Sequence, residues 1–550
     1  MRRYRPSDAV DFLVIGAGAA GGVMAKELAA AGFRVVVLEQ GPYLRERDFK
    51  HDELGTVYRH ALTNDPRRQI TTFRKTESQK AEARPDSAAV LYGRMVGGGT
   101  VHFTANYWRF HEIDFVERSK WGSIAGTGFE DWPIRYADME PYYTKAEEEL
   151  GVSGLAGASP FDPPRSKPYP APPLPVKSSG VIFEKAARKL GLHPFPAPMA
   201  ILSRPYRGRN ACLHCGFCEG YGCEVRAKSS TLATVIPEAE RTGRCEIRAD
   251  CYVRKIEVDK SGRATGAIYF DARRREVFQR AKAVVVCCNG SETPRLLLMS
   301  KSNLFPDGLA NSSGLVGKYL MMDSGAFCGA TFEHPLNDFK SVQVSRLLHD
   351  FYDSDPKRGF YGGGGIDARF DLNLITFADW GLDPKGPQWG AEYKKLLRES
   401  FTRSMYLLSH STTLPMERNS ISLDPEAKDA WGLPAMRVTY SNHPDDLKTM
   451  QFLLDRQMEI LDATGAKRKW AYPVEESTQG VHLLGTCRMG TDAKRSVVDP
   501  YHRAHDVRNV FVVDGSSFVT SGRNQPTCMI QALAYRAADH VGRAAKRGEV

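Results

Sequence analysis

The first forty residues combine two short apolar runs with an intervening stretch rich in small residues. Residues 10–16 read Val-Asp-Phe-Leu-Val-Ile-Gly and predict a buried strand. The Ala-rich residues 21–31 predict a helix that ends at Gly32. Residues 33–38, Phe-Arg-Val-Val-Val-Leu, predict a second strand. Together these elements predict a β-α-β unit with parallel strands and a right-handed crossover.

Two more apolar, β-branched runs lie far along the chain, at residues 283–288 and 510–513. Strands buried on both faces of a parallel sheet have this composition. Because the runs are so widely separated, we expect one parallel sheet that is interrupted by large insertions. Within the insertions, the Pro-rich residues 159–176 predict an extended connection, and residues 445–463 predict a helix.

Composition excludes several classes of protein. Of the 550 residues, 42% are hydrophobic and 25% are charged, which is typical of globular proteins and not of disordered or collagenous chains. No uninterrupted apolar run reaches the roughly 18 residues of a transmembrane helix. The formal net charge of +10 is spread along the chain, so we expect no nucleic-acid partner.

A glycine-rich turn joins the first predicted strand to the helix, with the sequence Gly16-Ala-Gly18-Ala-Ala-Gly21. Gly16 permits the tight turn, Gly18 lets the backbone approach a pyrophosphate, and Gly21 allows close helix–strand packing. Glu39 ends the second strand and can accept hydrogen bonds from ribose hydroxyls. The combination favours a dinucleotide site over a simple glycine-rich turn, and it leaves NAD and FAD open.

Four further motifs follow in order. They are Gly-Arg-Met-Val-Gly-Gly-Gly-Thr at 93–100, Asn-Gly-Ser-Glu-Thr-Pro-Arg at 289–295, His-Leu-Leu-Gly-Thr-Cys-Arg-Met-Gly at 482–490 and Val-Val-Asp-Gly-Ser at 512–516. With the turn at 16–21, this set resembles the glucose-methanol-choline (GMC) family of FAD-dependent oxidoreductases over essentially the whole chain. The resemblance implies FAD as the cofactor.

Within that family the chain is most similar to catalytic subunits of bacterial membrane-associated sugar dehydrogenases, the glucose, gluconate, fructose and glucoside group. The shared segments are Gly-Gly-Gly-Thr-Val-His at 97–102, Tyr-Trp-Arg-Phe at 107–110, Asp-Trp-Pro-Ile at 131–134, Glu-Pro-Tyr-Tyr at 140–143 and a cysteine cluster near 215. The resemblance therefore implies oxidation of a sugar or glycoside hydroxyl to a carbonyl.

The resemblance implies an α/β fold in which a discontinuous Rossmann-like FAD-binding domain carries an inserted substrate-binding domain of antiparallel sheet and helices. We expect the FAD-binding domain at residues 1–110, 225–320 and 480–550. We expect the substrate-binding domain at 111–224 and 321–479, with the cysteine cluster at 212–223.

Oxidation of an alcohol requires a base for the hydroxyl proton and an acceptor for the hydride, which is the flavin's role. His482 occupies the position of the family's catalytic histidine, and Asn524 falls where the family carries a second active-site His or Asn. Asparagine cannot serve as a base, so it would hold the substrate oxygen by hydrogen bonding. The alternatives are a buried core histidine and an ordinary loop asparagine.

The resemblance also implies further FAD contacts. His102 sits where some family members attach the flavin covalently through a histidyl bond, although Phe103 replaces the small polar residue common in oxidase relatives. The remaining expected contacts are Arg94, Gly98, Thr100, Asp514, Gly515 and Pro526.

Four of the 11 cysteines form the pattern C-x2-C-x2-C-x4-C: Cys212, Cys215, Cys218 and Cys223. Thiolates at this density suit an iron–sulfur cluster, with zinc as the alternative metal. The resemblance implies a three-iron (3Fe–4S) cluster that relays electrons to a cytochrome c. If a cluster is present, we expect His214, inside the motif, to modulate it by hydrogen bonding to sulfur. The competing interpretation is free buried thiols or a disulfide.

Three functions stay open at this point. The first is the sugar dehydrogenase; the second is a GMC oxidase of an alcohol or sugar that uses oxygen, with a structural cysteine cluster; the third is a dinucleotide-binding redox sensor or inactive scaffold. Aromatic and polar residues of the middle region suit a sugar, but a core role is the better interpretation for each one. They are Trp380, Trp389, Tyr393, Tyr406 and His410.

Localisation follows from the resemblance too. Related catalytic subunits travel folded to the periplasm with a small subunit that carries the export signal, and they reach the inner membrane only through partners. Arg2 and Arg3 lack the apolar region of such a signal. We expect a periplasmic enzyme, with cytoplasmic residence as the alternative if no small subunit accompanies it.

Overall fold

The structure is a computed structural model that describes residues 4–550, so Arg2 and Arg3 lie outside the described residues. No helix within 4–550 has the length and apolar character needed to span a membrane. The α-helices of this part of the chain are α1 (Ala19–Ala30), α2 (Glu117–Trp121), α3 (Tyr136–Leu150), α4 (Ser178–Lys189), α5 (Val235–Arg241), α6 (Glu292–Met299), α7 (Leu374–Trp380), α8 (Gly390–Ser400), α9 (Pro444–Asp462) and α10 (Thr527–Lys546).

The strands of the same residues form three sheets. They are β1 (Val10–Ile15), β2 (Val35–Leu38), β3 (Thr71–Arg74), β4 (Glu82–Arg84), β5 (Phe195–Pro196), β6 (Cys245–Arg248), β7 (Tyr252–Val258), β8 (Ala264–Phe270), β9 (Glu276–Val286), β10 (Phe327–Thr331), β11 (Val344–Leu348), β12 (Gly364–Arg369), β13 (Ser404–Ser411), β14 (Ser420–Lys428), β15 (Pro434–Thr439), β16 (Arg468–Ala471) and β17 (Val510–Val512).

The first sheet contains every strand that the apolar runs predict. Its order is β6-β2-β1-β9-β8-β7, and β17 also pairs with β9. The long β9 joins two arrangements: its first half pairs antiparallel with β8, and its second half lies between the parallel strands β1 and β17. The predicted parallel sheet with insertions is confirmed.

The predicted helices are also present, with small shifts at their ends. α1 begins at Ala19, two residues before the predicted start, because the chain leaves the glycine turn at the capping position Gly18. α9 covers the predicted helix almost residue for residue, with Pro444 in its first turn, a position that needs no backbone N–H. Residues 159–176 lie outside every helix and strand, as the prolines predict.

The second sheet is antiparallel, with the order β16-β10-β13-β12-β11-β5. Helices α4 and α9 pack on it through a core that includes Phe183, Leu453 and Ile460. β5 comes from the stretch 111–224 and the other five strands come from 321–479. These two segments, which were expected to share the substrate-binding domain, thus contribute to one sheet.

A third sheet, with the order β14-β15-β3-β4, was not predicted from the sequence. β3 pairs in parallel with β15, so residues 71–84 of the expected FAD-binding segment join residues 420–439 of the expected substrate-binding segment. The buried Arg295 of α6 donates to Asp429 at 2.7 Å and to the Pro434 carbonyl at 2.7 Å. These bonds tie α6, the helix that follows β9 of the first sheet, to the third sheet.

Backbone contact between two glycine turns links the start of α1 to the segment that leads to His102. Gly98 has φ +52° and lies so close to Gly18 that a Cβ on Gly98 would be 2.7 Å from the Gly18 Cα. Gly16, with φ +96°, lies equally close to the end of β9, where a Cβ would be 2.4 Å from the Cys287 carbonyl oxygen. Only glycine permits both approaches.

We expect Gly98→Ala to lower the free energy of unfolding by about 1–3 kcal/mol, because the added methyl group meets backbone atoms at a positive φ. Urea unfolding monitored by circular dichroism measures this. Gly99→Ala is the matched control, since a Cβ on Gly99 meets nothing within 4 Å. Equal stability of the two variants would show that the close approach is not required.

Candidate active site

A cavity of about 1130 Å³ opens where the carboxyl ends of the parallel strands meet the second sheet. Ligands of open α/β sheets bind at such an edge. Most of the sequence-predicted site residues line this one cavity, whereas Gly21, Arg94 and Asn524 lie outside its lining. The predicted residues that line it are Gly16, Gly18, Glu39, Gly98, Thr100, His102, His482, Asp514, Gly515 and Pro526.

Glu39 organises the dinucleotide end of the cavity. Its carboxylate accepts the backbone N–H groups of Ala17 and Gly41, both at 2.9 Å. Burial raises the pKa of Glu39 to about 7, against the opposing effect of these two hydrogen bonds. The acid at the end of β2 therefore holds the glycine turn in shape and lines the cavity beside it.

Two residues that were predicted to contact the cofactor, Gly21 and Arg94, lie behind the residues that line the cavity. Gly21 is a packing residue, because a Cβ there would be 1.9 Å from the Gly16 carbonyl oxygen. Arg94 donates to the Gln40 carbonyl at 3.4 Å, and its charge acts to lower the pKa of Glu39. They support the turn and the acid without facing the cavity.

Asp514 joins two motifs that are far apart in the sequence. Its carboxylate accepts the Thr293 hydroxyl at 2.6 Å and the Asn289 backbone N–H at 3.2 Å. It also accepts the backbone N–H of Ser516 at 2.8 Å. The turn after β9 and the turn after β17 therefore meet at one buried carboxylate.

His102 presents a neutral, unpartnered nitrogen at the cavity. Its Nε2 is buried and has no hydrogen-bond partner among residues 4–550. Burial, assisted by the charge of Lys228, lowers the pKa of His102 to about 4. The imidazole is therefore unprotonated at neutral pH, which is the form that can act as a nucleophile.

His482 is half-buried and directs its ring into the cavity next to Gln525. Its backbone N–H donates to the Asp323 carboxylate at 3.1 Å. Burial lowers the pKa of His482, and the nearby His410 lowers it further, against the opposing effects of Asp323 and a hydrogen bond to Gln525. The ring is therefore neutral and able to accept a proton.

Asn524 does not reach the cavity. Its Nδ2 donates to the Arg109 carbonyl at 3.0 Å and lies 3.4 Å from the Tyr352 hydroxyl, in the core behind the cavity wall. The next residue, Gln525, lines the cavity and hydrogen-bonds to His482. The structure thus places Gln525, and not Asn524, beside the histidine; the signal in the sequence was its position directly before Pro526.

His410 is a cavity residue for which a core role was preferred from the sequence. It lies on β13, and its Nε2 is 2.7 Å from Asp367 on β12. Its Nδ1 is 2.9 Å from the Gln525 amide nitrogen. Of the other aromatic candidates, Trp380 lines the cavity, whereas Trp389, Tyr393 and Tyr406 do not.

The four cysteines of the predicted cluster line a second, much smaller cavity of about 30 Å³. Cys212 accepts the His214 backbone N–H at 3.3 Å, while the His214 ring contacts the Ser341 hydroxyl at 2.8 Å and not a sulfur. All 11 cysteines are free thiols, so the disulfide interpretation is not realised. No group of three or more His, Cys, Asp or Glu side chains within 4–550 is positioned to hold a metal ion.

The cysteine loop packs directly on the segment that carries His102. The Gly220 backbone N–H donates to the His102 carbonyl at 2.7 Å. The buried Lys228 ammonium donates to the Phe103 carbonyl at 3.1 Å and the Tyr221 carbonyl at 2.7 Å, and it also contacts the Cys218 carbonyl. One cation therefore connects the wall of the large cavity to the loop of thiols.

Comparison with known proteins agrees with this arrangement. Residues 10–321 and 415–534 match the N- and C-terminal parts of the GMC oxidoreductase family. The chain is 36% identical to 2-methyl-1,2-propanediol dehydrogenase of Mycolicibacterium austroafricanum, covering 98% of this chain and 96% of that protein. It is 30% identical to the gluconate 2-dehydrogenase flavoprotein of Pantoea cypripedii, covering 96% and 93%.

The fold is likewise that of a solved flavoprotein structure. A formate oxidase variant from Aspergillus oryzae RIB40 superposes with a TM-score of 0.69 at 13% identity, covering 100% of both chains. The chain therefore belongs to the GMC oxidoreductase family, and it is an FAD-dependent oxidoreductase that acts on CH–OH donors.

Proposed function

We propose that the chain is a dehydrogenase that oxidises a hydroxyl of a sugar or glycoside to a carbonyl, with His482 as the base. The observation that carries the proposal is the placement of a neutral His482 and an uncharged Gln525 in the same cavity as the dinucleotide turn. The identity to a gluconate 2-dehydrogenase flavoprotein supports a sugar-derived substrate.

The residues of the cavity fit FAD in chemistry as well as in position. Gly16 and Gly18 leave backbone exposed for a pyrophosphate at the N-terminus of α1, and Glu39 would hold the ribose. Asp514 and Gly515 bring the turn before α10 to the same wall. When bound, FAD supplies the acceptor for the hydride that leaves the carbinol carbon.

The protein's own contribution is proton transfer and orientation. His482 accepts the hydroxyl proton, since its lowered pKa keeps it neutral before the reaction. Gln525 cannot titrate near neutral pH; one hydrogen of its amide nitrogen is directed at His410, and the other would hold the substrate oxygen beside the histidine. This is the role that was expected for Asn524.

A small diol is the second candidate substrate. The relative named 2-methyl-1,2-propanediol dehydrogenase is the more similar of the two dehydrogenases, at 36% identity. The cavity mouth also carries the exposed apolar side chains Val57, Tyr58 and Val481, which suit an alkyl group. A substrate survey therefore needs diols alongside sugars.

We expect anaerobic bleaching of the flavin by at least one of glucose, gluconate, fructose, a glycoside or 2-methyl-1,2-propanediol. With that substrate, a dye should be reduced much faster than peroxide is formed from oxygen. We further expect His482→Gln to slow flavin reduction by about 10²–10⁴-fold at unchanged flavin content, because the base is lost. Stopped-flow absorbance at the flavin band measures the rate.

His334→Gln, at an exposed position outside the cavity lining, is the control and should leave the rate unchanged. Fast reduction of His482→Gln would show that another group takes the proton. Rapid peroxide formation with little dye reduction would favour the oxidase, and no bleaching by any compound would favour the sensor or scaffold.

We propose in addition that FAD is attached covalently through His102: a C–N bond would replace one C–H bond of the flavin 8-methyl group and the N–H bond of the imidazole, and the flavin itself would take up the two electrons released. The buried, unpartnered Nε2 of His102 and its neutral imidazole meet the requirements of a nucleophile toward the flavin 8-methyl position. Acid-precipitated wild-type protein should keep its yellow fluorescence, whereas His102→Ala should release all flavin into the supernatant. Release of all flavin by the wild type would contradict the linkage.

We propose that the cysteine loop holds a 3Fe–4S cluster, which would supply the electron relay to a cytochrome c. The donor chemistry fits, because four soft thiols line one cavity whose loop contacts the His102 segment. In the described residues the thiols are not arranged as a ligand set, so no step is assigned to the metal. We also propose that a small subunit carries the export signal. The enzyme would then reside in the periplasm and associate with the inner membrane through its partners.

Anaerobically purified wild-type protein should contain iron and acid-labile sulfide, and Cys218→Ser should lose most of both while keeping its flavin. Chemical assay of iron, sulfide and flavin on the same sample measures this. Cys245→Ser, a buried thiol of β6 outside both cavities, is the control and should keep its iron. Wild-type protein without iron and sulfide would leave the thiols a structural role.

A further inference from the structure

A row of buried polar side chains runs from the second sheet to His482. β12 contributes Asp367 and Arg369, and β13 contributes His410. In the register of the two strands Gly365 lies opposite His410, so Asp367, two residues along the same face, reaches His410 diagonally. The register of two strands therefore sets this pair beside the cavity.

Asp367 is held as a carboxylate. The Nε and one NH2 group of Arg369 donate to its two oxygens, each at 2.7 Å. Burial would raise the pKa of Asp367, but the charge and hydrogen bonds of Arg369 and His410 outweigh burial and hold the pKa below its usual value. A carboxylate oxygen 2.7 Å from the Nε2 of His410 can only accept, so this ring nitrogen carries a hydrogen.

The other ring nitrogen of His410 contacts Gln525. The Gln525 amide nitrogen lies 2.9 Å from Nδ1 of His410 and can only donate, so Nδ1 is the acceptor of this hydrogen bond. With its nitrogen directed at His410, Gln525 has its carbonyl oxygen left for His482, which lines the same cavity; the hydrogen bond between the two side chains acts to raise the pKa of His482, as an accepting oxygen does. A carbonyl accepts only, so the His482 nitrogen that faces Gln525 carries the hydrogen.

We propose that Asp367 and His410 are positioning residues that act through Gln525 to fix the tautomer of His482, with its unprotonated nitrogen toward the substrate. The inference rests on the proposed function only in treating His482 as the base. The arrangement resembles in logic the carboxylate that orients a catalytic imidazole in hydrolases, here with an amide between the two rings.

Further titratable groups lie around Asp367, His410 and His482. Asp323 faces His482 and is engaged by the backbone N–H groups of Val481 and His482, at 2.7 and 3.1 Å. Asp371 and Glu219 lie on the far side of Arg369, at 3.0 and 3.9 Å. His349 faces His410, and burial lowers the pKa of His349 to about 3, so that ring is neutral.

The tautomer can be read without turnover. Resting, flavin-loaded protein labelled with ¹⁵N-histidine should show one proton-bearing and one unprotonated nitrogen for His482, assigned by its absence in His482→Gln. In Asp367→Asn and His410→Phe the two nitrogen shifts of His482 should move toward each other, as the ring samples both tautomers. The phenyl ring of the second variant keeps the packing on Trp108, whose ring centroid is 5.2 Å from that of His410.

The same variants should reduce their flavin roughly 10- to 100-fold more slowly, with KM changed by less than about twofold, because ground-state binding is kept while the base is misaligned. The pH profile of flavin reduction should shift in both. Asp350→Asn is the matched control: Asp350 pairs with the exposed His193 at the same 2.7 Å but outside the cavity. It should leave the tautomer and the rate unchanged.

A single, unchanged tautomer of His482 in both Asp367→Asn and His410→Phe would overturn the proposal. So would an equal effect of Asp350→Asn, which would indicate general destabilisation. Failure of every substrate to bleach the flavin would refute the proposed function, while the nitrogen shifts of the resting protein would still decide the tautomer.

Discussion

The site depends on one steric constraint, the contact of bare backbone between glycine turns. Gly18 and Gly98 approach so closely that a single methyl group would separate them, and Gly16 meets the end of β9 in the same way. These contacts bring the start of α1, the end of β9 and the His102 segment to one edge of the parallel sheet. A dinucleotide can then lie against backbone N–H groups, because no side chain stands between.

Polar contacts between segments far apart in the sequence also hold the site together. Asp514 holds the turn after β9 to the turn before α10, and Lys228 holds the cysteine loop to the carbonyl of Phe103. Each buried charge is offset by several hydrogen bonds, which is the condition under which burial of a charge is tolerated. Motifs hundreds of positions apart therefore meet at fixed distances. The wall of the large cavity at His102 is in direct contact with the cysteine loop.

The parts of the site that were predictable are those with local signatures. Glycine spacing, apolar strands and the acid at the end of β2 are dictated by neighbours in the chain, so the parallel sheet and the position of Glu39 follow from sequence. The third sheet and the pairing of Asp367 with His410 depend on strand register across long loops, which no local pattern encodes. The sequence pointed to Asn524, but Gln525 is the residue that lines the cavity. Which of two neighbours in a non-helical turn faces the cavity depends on the backbone of that turn, which residue type alone does not reveal.

The placement of charge around His482 explains how a half-buried imidazole stays a base. The nearest full charges are engaged by other groups: Asp323, which faces His482, accepts backbone N–H groups, and Asp367 is paired with Arg369. His410 and Gln525 lie on the side of Asp367 and orient the ring through hydrogen bonds. Burial then dominates and lowers the pKa of His482, so the ring is unprotonated before it meets the substrate. When the ring takes the proton, Gln525 is already in place to accept a hydrogen bond from it, and the carboxylates nearby favour the cation that forms.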